Sequence, residues 1–227
     1  MPTALVIAAH PDDGEFGCGG YAAMLADAGW AVHWVVTTNG AKGTEDRAMP
    51  RERLIAMRRE EQFEACRRLG AASLRMLGYE DGELNYSREL VGALVRAIRE
   101  TRPGLVLTHD PTDFIIRDSF INHVDHRVTG AAALDAVYPA ARDHLNFPEQ
   151  VAEGLEPWKV GELLLWNSNT PNFEVDISAV VERKVRALEA HASQFGPGAD
   201  LAAFARERWR SEDGRYVERF RRVVLAF

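Results

Sequence analysis

Short apolar runs alternate with helically spaced apolar stripes along this chain. Leu5-Val6-Ile7 is a run of the kind that forms a buried strand, and the Ala-rich stretch from Tyr21 to Ala28 predicts a helix after it. Ala31 to Thr37 reads as a second strand, with Val32, Val35 and Val36 branched at Cβ. Arg51 to Leu69 carries Leu54, Met57, Phe63, Ala65, Cys66 and Leu69 near helical spacing, and Gly70 suits the stop. Ser73 to Leu77 predicts a third strand. Arg88 to Thr101 predicts a helix that Pro103-Gly104 ends, and Leu105 to Thr108 a fourth strand. Further on come a helix over Val128 to Tyr138, a strand over Gly161 to Trp166, a helix after Val175-Asp176-Ile177-Ser178 through about Ala190, and a short helix over Leu201 to Trp209. Residues 109–122 and 140–160 show no regular pattern. Tyr216 to Phe227 alternates basic and apolar residues and reads either as a helix or as an edge strand. Alternating strands and helices predict a mostly parallel sheet with helices on both faces. With no repeat and no low-complexity linker, the reading is a single α/β domain over residues 1–227.

Composition narrows the class. Of 227 residues, 46% are hydrophobic and 27% charged, ordinary values for a globular chain. The net charge of −7 gives no basic surface for nucleic acid. Cys18 and Cys66 have no paired spacing and read as free thiols of a reducing compartment. No apolar stretch reaches the length of a membrane span, and Met1 to Ala4 has no basic region of a signal peptide. The expectation is a cytoplasmic protein that binds neither nucleic acid nor membrane.

The chemistry gathers in two clusters. Immediately after the first strand comes His10-Pro11-Asp12-Asp13-Gly14-Glu15, one imidazole and three carboxylates on the turn at the strand's C-terminal end. In open α/β sheets that edge binds ligands. A capping turn would need one Asp; adjacent carboxylates repel without a cation. After the fourth strand comes His123-Val124-Asp125-His126, at the same edge. A catalytic zinc site offers three protein ligands and an open position. His10, Asp13 and one of His123 or His126 meet that count, with Asp12 as base and the other His as proton donor or oxyanion partner, oriented by Asp125. The loop Thr38 to Thr44 lacks the ending of a phosphate-binding loop; its Asn39 and Lys42 either contact substrate or turn the chain. Arg58 and Glu61, three apart, form at minimum a solvated ion pair. His33 and His144 read as structural, and His191 as a helix-end imidazole facing carbonyls.

Ala9-His10-Pro11-Asp12-Asp13-Gly14-Glu15 together with His123-Val124-Asp125-His126 resembles the PIG-L/LmbE-like family of zinc-dependent N-acetylglucosaminyl deacetylases. Cys18-Gly19-Gly20, the Thr38 to Gly43 loop, the Arg58/Glu61 pair, Val175-Asp176-Ile177-Ser178 and His191-Ala192-Ser193-Gln194 extend the resemblance over most of the chain. Val124 stands where the family commonly has proline. The resemblance implies a Rossmann-like three-layer fold and Zn2+, or another divalent first-row metal, on His10, Asp13 and His126. It makes Asp12 the base, His123 the group that stabilises the oxyanion or protonates the amine, and Arg58 a substrate contact. It implies a small N-acetylated amino sugar as substrate and admits a homo-oligomer. A rival within the family cleaves another amide, such as a thiol conjugate. A rival of another class is a non-catalytic nucleotide- or carbohydrate-binding module. Gly17-Cys18-Gly19-Gly20 fits a dinucleotide fingerprint poorly, and Asp12 and His123 are not needed merely to hold a metal.

Overall fold

A computed structural model describes residues 1–195 and 200–226. The first half runs β1 (Thr3–Ala8), α1 (Asp13–Asp27), β2 (Ala31–Thr38), α2 (Arg51–Leu69), β3 (Ser73–Tyr79), α3 (Arg88–Thr101) and β4 (Leu105–His109). Then come the hairpin β5 (Ile115–Ile116) and β6 (Phe120–Ile121), α4 (Val124–Val137), α5 (Pro148–Ala152), β7 (Glu162–Trp166) and β8 (Phe173–Asp176). The chain continues through α6 (Val181–Leu188), α7 (Ala192–Phe195), α8 (Leu201–Trp209) and β9 (Val217–Val224).

The strands other than the hairpin form one seven-stranded sheet in the order β3-β2-β1-β4-β7-β9-β8. β1, β2, β3, β4 and β7 are parallel; β9 runs antiparallel to both β7 and β8. The chain lays down β2 and β3 on one side of β1, then β4 and β7 on the other. The order therefore reverses between β1 and β4, and a crevice opens beyond their C-terminal ends. Side chains of β1 alternate between two cores, as the pleat requires. Ala4, Val6 and Ala8 pack with Trp34, Cys18, Leu69 and Trp166. Leu5 and Ile7 pack on the opposite face with Leu90, Leu94, Ile98 and Ala136.

The structure corrects several sequence expectations. α1 begins at Asp13, not Tyr21. Glycines at 14, 17, 19 and 20 weaken helix propensity, but packing overrides it. A Cβ on Gly17 would lie 2.5 Å from Trp166, and one on Gly20 2.8 Å from Ile177, so only a glycine face lets α1 lie this close to its neighbours. α4 begins at Val124, not Val128, with His123 as its N-cap. The 109–122 segment contains the β5–β6 hairpin, and Asn122 Nδ2 ties it by donating to the carbonyls of Asp110 and Asp113. β9 is neither helix nor edge: it lies between β7 and β8, and β8 is the edge. Glu218 obscured this in the sequence, since a charged residue rarely marks an inner strand. Its side chain is buried against Lys184 Nζ at 2.5 Å, and it accepts the amides of Gly20 and Tyr21 at 2.8 Å each. Phe227 lies outside the described residues. The 140–160 stretch includes α5 and a 3-10 turn over Ala140–Arg142. The buried Arg99 guanidinium of α3 donates to the carbonyls of Ala140, Ala141, Asp143, Asn146 and Phe147 around it.

Candidate metal centre

β1 ends at Ala8 and delivers His10 into the crevice; α1 starts three residues later with Asp13 in its first turn. Asp13 joins two imidazoles. Its Oδ2 lies 3.1 Å from His10 Nδ1, and its Oδ1 lies 3.1 Å from His126 Nε2 on the first turn of α4. The other nitrogen of His10, Nε2, lies 3.0 Å from Asp125 Oδ2 and 3.2 Å from Asp81 Oδ1. Carboxylates on the far nitrogen fix the tautomer of a metal-ligating imidazole and leave the near nitrogen its lone pair. Burial opposes a charge on His10, yet Asp13, Asp125 and Asp81 together lift its pKa to about 12. So negative a surround suits a cation. His126 Nδ1 is buried with no hydrogen-bond partner. Ligand atoms of His10, His123 and His126 all lie within 4.8 Å of one another, as do those of Asp13, His109 and His126. Nitrogen and carboxylate donors at this spacing fit a first-row divalent metal.

Asp12 occupies the N-cap position of α1 but makes no side-chain cap, which sets aside the capping-turn reading. Its φ of 99° is costly for a residue with a Cβ. Its amide donates to Gln62 Oε1 at 3.0 Å, and its carboxylate lies 3.2 Å from the Arg58 guanidinium. Burial and the charge of Asp13 push the Asp12 carboxyl up to about 7, against the pull of Arg58. Asp13 moves the opposite way: despite burial, His126 and His10 hold it well below the usual carboxylate range.

Arg58 is buried and makes no pair with Glu61, which accepts instead from the amide and hydroxyl of Ser193 at 2.7 and 2.6 Å. The Arg58 guanidinium also donates to the carbonyls of Pro11 and Gly40 at 2.6 and 3.2 Å. A Cβ on Gly43 would meet it at 2.5 Å, which explains a glycine at that place in the loop. Asn39 and Lys42 act within the loops. Asn39 Oδ1 accepts from the amides of Ala41 and Asp81 while its Nδ2 donates to Glu80; Lys42 Nζ donates to Glu83. His123 and Asp125 reach the crevice but are not paired as expected. His123 Nδ1 accepts the amide of Asp125 at 3.2 Å, while the Asp125 carboxylate, 3.9 Å away, turns to His10 and to the amides of Gly82 and Leu84. Glu15 points away from His10 and receives Gln62 Nε2 at 2.7 Å. His191 is buried beside Glu15, 3.7 Å off, rather than facing helix-end carbonyls.

Comparison with known proteins decides the family. The family model described as PIG-L, GlcNAc-PI de-N-acetylase, matches residues 5–137. The chain belongs to the PIG-L family. Among this family's curated members it is 36% identical to a diacetylchitobiose deacetylase of Thermococcus kodakarensis, over 84% of this chain and 69% of that one. It is 30% identical to a probable N-acetyl-alpha-D-glucosaminyl L-malate deacetylase 2 of Bacillus cereus, over 84% and 82%. The solved N,N'-diacetylchitobiose deacetylase of Pyrococcus horikoshii superposes with a TM-score of 0.87 at 32% identity, covering 98% of this chain and 84% of its own. A hydratase, GalB of Pseudomonas putida, superposes at 0.80 with 22% identity, a likeness of fold alone.

Two residues of this PIG-L site escaped sequence reasoning. His109, at the end of β4, stacks on His126 with centroids 4.3 Å apart; its nitrogens face the Ala9 amide and the Trp166 indole N–H, each at 3.1 Å. Burial keeps it neutral. Asp81 follows β3 at the same sheet edge; burial raises its pKa, but the His10 hydrogen bond and the Lys42 amide bring it down to about 2. A polar residue just beyond each parallel strand was the available signal for both. Among the described residues no helix is long and apolar enough to cross a membrane.

Proposed function

We propose that this chain is a metal-dependent N-deacetylase that removes the acetyl group from an N-acetylated amino sugar, with zinc on His10, Asp13 and His126. The observation that carries the reading is the division of labour between adjacent carboxylates: Asp13 bridges two imidazoles, and Asp12 faces Arg58 instead. A zinc ion held there would supply a water of lowered pKa and polarise the amide carbonyl. Asp12 takes the proton of the attacking water and returns it to the leaving amine. Arg58 fixes the Asp12 carboxylate and, through the carbonyls of Pro11 and Gly40, the two loops beside it. His123 has Nδ1 engaged by the Asp125 amide, so the proton of the neutral ring resides on Nε2, where it stabilises the developing oxyanion. Asp125 and Asp81 hold His10 in register. Asn39 and Lys42 serve by shaping the loop over the crevice. The curated relatives named above act on N-acetylglucosamine conjugates, which supports this substrate class. The catalytic unit is one domain over residues 1–227, at work in the cytoplasm, singly or as a homo-oligomer.

The test is acetate release from N-acetylglucosamine conjugates with metal analysis. Chelation is expected to abolish release and zinc to restore it. Full activity in a verified metal-free sample would overturn the mechanism.

A further inference from the structure

Two cavities adjoin each other, and one of them reaches the candidate metal ligands. One, of about 270 Å³, is lined by Asp13 and His126 together with Phe16, Arg117, Asn167 and Arg208. The other, of about 400 Å³, shares Phe16, Arg117, Asn167 and Arg208 with it and runs on to Trp166 and Trp209. Together they form a path from the metal ligands past a pair of arginines. The pair differs from many arginines of this chain. Acidic residues outnumber basic ones, 34 to 27, and many of its arginines have a carboxylate partner, as in Arg75–Glu100, Arg96–Glu153, Arg183–Asp27 and Arg219–Glu174. Among the described residues no carboxylate lies within ion-pair distance of Arg117 or Arg208. The acid that lines the larger cavity, Glu218, is already paired with Lys184. The two guanidiniums also act on each other: partial desolvation against the cavity wall and then the charge of Arg117 lower the pKa of Arg208, although its surface remains exposed. Like charges left facing each other cost free energy unless an anion comes between them.

The backbone presents the pair deliberately. Arg117 and Asp118 form the tip of the β5–β6 hairpin with φ of 51° and 54°, a conformation that glycine or asparagine adopts at less cost. The Arg117 amide is fixed by Asn169 Oδ1 at 2.9 Å. Arg208, on α8, has its guanidinium 6.0 Å from the ring centres of Phe204 and Trp209, which limit its freedom.

We infer that Arg117 and Arg208 form an oxyanion subsite for the group attached to the amino sugar, so that the preferred substrates carry a carboxylate or a phosphate on that group. A planar guanidinium fork binds either oxyanion with paired hydrogen bonds. The inference rests on the amide-hydrolase reading for the acetyl end of the site, but the subsite itself requires only binding. The names of the relatives do not decide it, since one acts on a neutral disaccharide and another on a malate conjugate.

Three N-acetylglucosaminides that differ only in a neutral, carboxylated or phosphorylated aglycone test it, with kcat/KM measured by acetate release from the zinc-loaded enzyme. Their deacetylated products are titrated in parallel by calorimetry. At least one charged substrate is expected to exceed the neutral one by about tenfold or more in kcat/KM, and its product to bind about tenfold more tightly. In Arg117→Gln/Arg208→Gln the charged-to-neutral ratio is expected to collapse toward one in both measurements. Both side chains are exposed, so the fold tolerates the change. The better of the two charged arms identifies the oxyanion. A parent ratio of one or less, or a ratio the double variant leaves unchanged, overturns the subsite. Arginine-dependent binding of the charged product without acetate release from any substrate would sink the deacetylase reading and leave the subsite standing.

Discussion

Asp12 and Asp13 share a turn and differ in everything the turn does to them. Asp13 is surrounded by imidazoles and stays ionised; Asp12 faces a guanidinium, and burial favours its protonated form. The two substitutions should therefore fail differently. Asp13→Ala is expected to lose bound zinc and activity together. Asp12→Asn keeps the shape and the zinc but cannot accept a proton, so kcat is expected to fall by about 10²–10⁴. Metal content and single-turnover rates on both variants decide, and loss of zinc from Asp12→Asn with retention in Asp13→Ala would reverse the assignment. The residue types and their order were legible in the sequence because metal chemistry needs nitrogen and carboxylate donors close together. The partnerships were not. That Asp125 serves His10 rather than His123, and that Asp81 and His109 close the site, depends on which strands are neighbours, and spacing along the chain does not encode that.

Elements were legible where packing agrees with local pattern and illegible where it overrides it. α2 and α3 have the bounds their apolar stripes predict. The start of α1 was hidden by glycines whose use is close approach to Trp166 and Ile177. β9 was hidden by Glu218, a buried acid that links β9 to α6 through Lys184 and to α1 through two amides. Lys184→Met is expected to cost about 3–5 kcal/mol by stranding that acid among apolar neighbours, read as a lower denaturant midpoint. Adding Glu218→Gln, which can still accept the α1 amides, should recover part of the loss. If Lys184→Met unfolds at the parent's midpoint, the pair does not hold these elements together.

For the whole molecule the candidate metal centre is a joint as much as a site. Its candidate ligands come from the β1–α1 turn and the start of α4, on opposite sides of the strand-order reversal. An ion that binds only the folded chain stabilises it by mass action, about 2.7 kcal/mol at a hundredfold excess over Kd. The melting temperature is therefore expected to rise by several degrees on adding zinc to the stripped protein. Asp13→Ala should show no such rise, and an equal rise in that variant would point to zinc bound elsewhere.

The interior position of β9 sets an order of assembly during synthesis. The strands beside the candidate metal centre, β1 and β4, and β7, the neighbour of β4, are all translated by Trp166 and can pair as they emerge. β8 cannot join them, because its hydrogen-bonding partner is translated some forty residues later. Until β9 arrives, the nascent sheet ends in the bare edge of β7, and bare edges recruit other chains. The interval between β7 and β9 is thus when a stalled or shortened chain is most exposed to aggregation, although the strands beside its candidate metal centre are already paired.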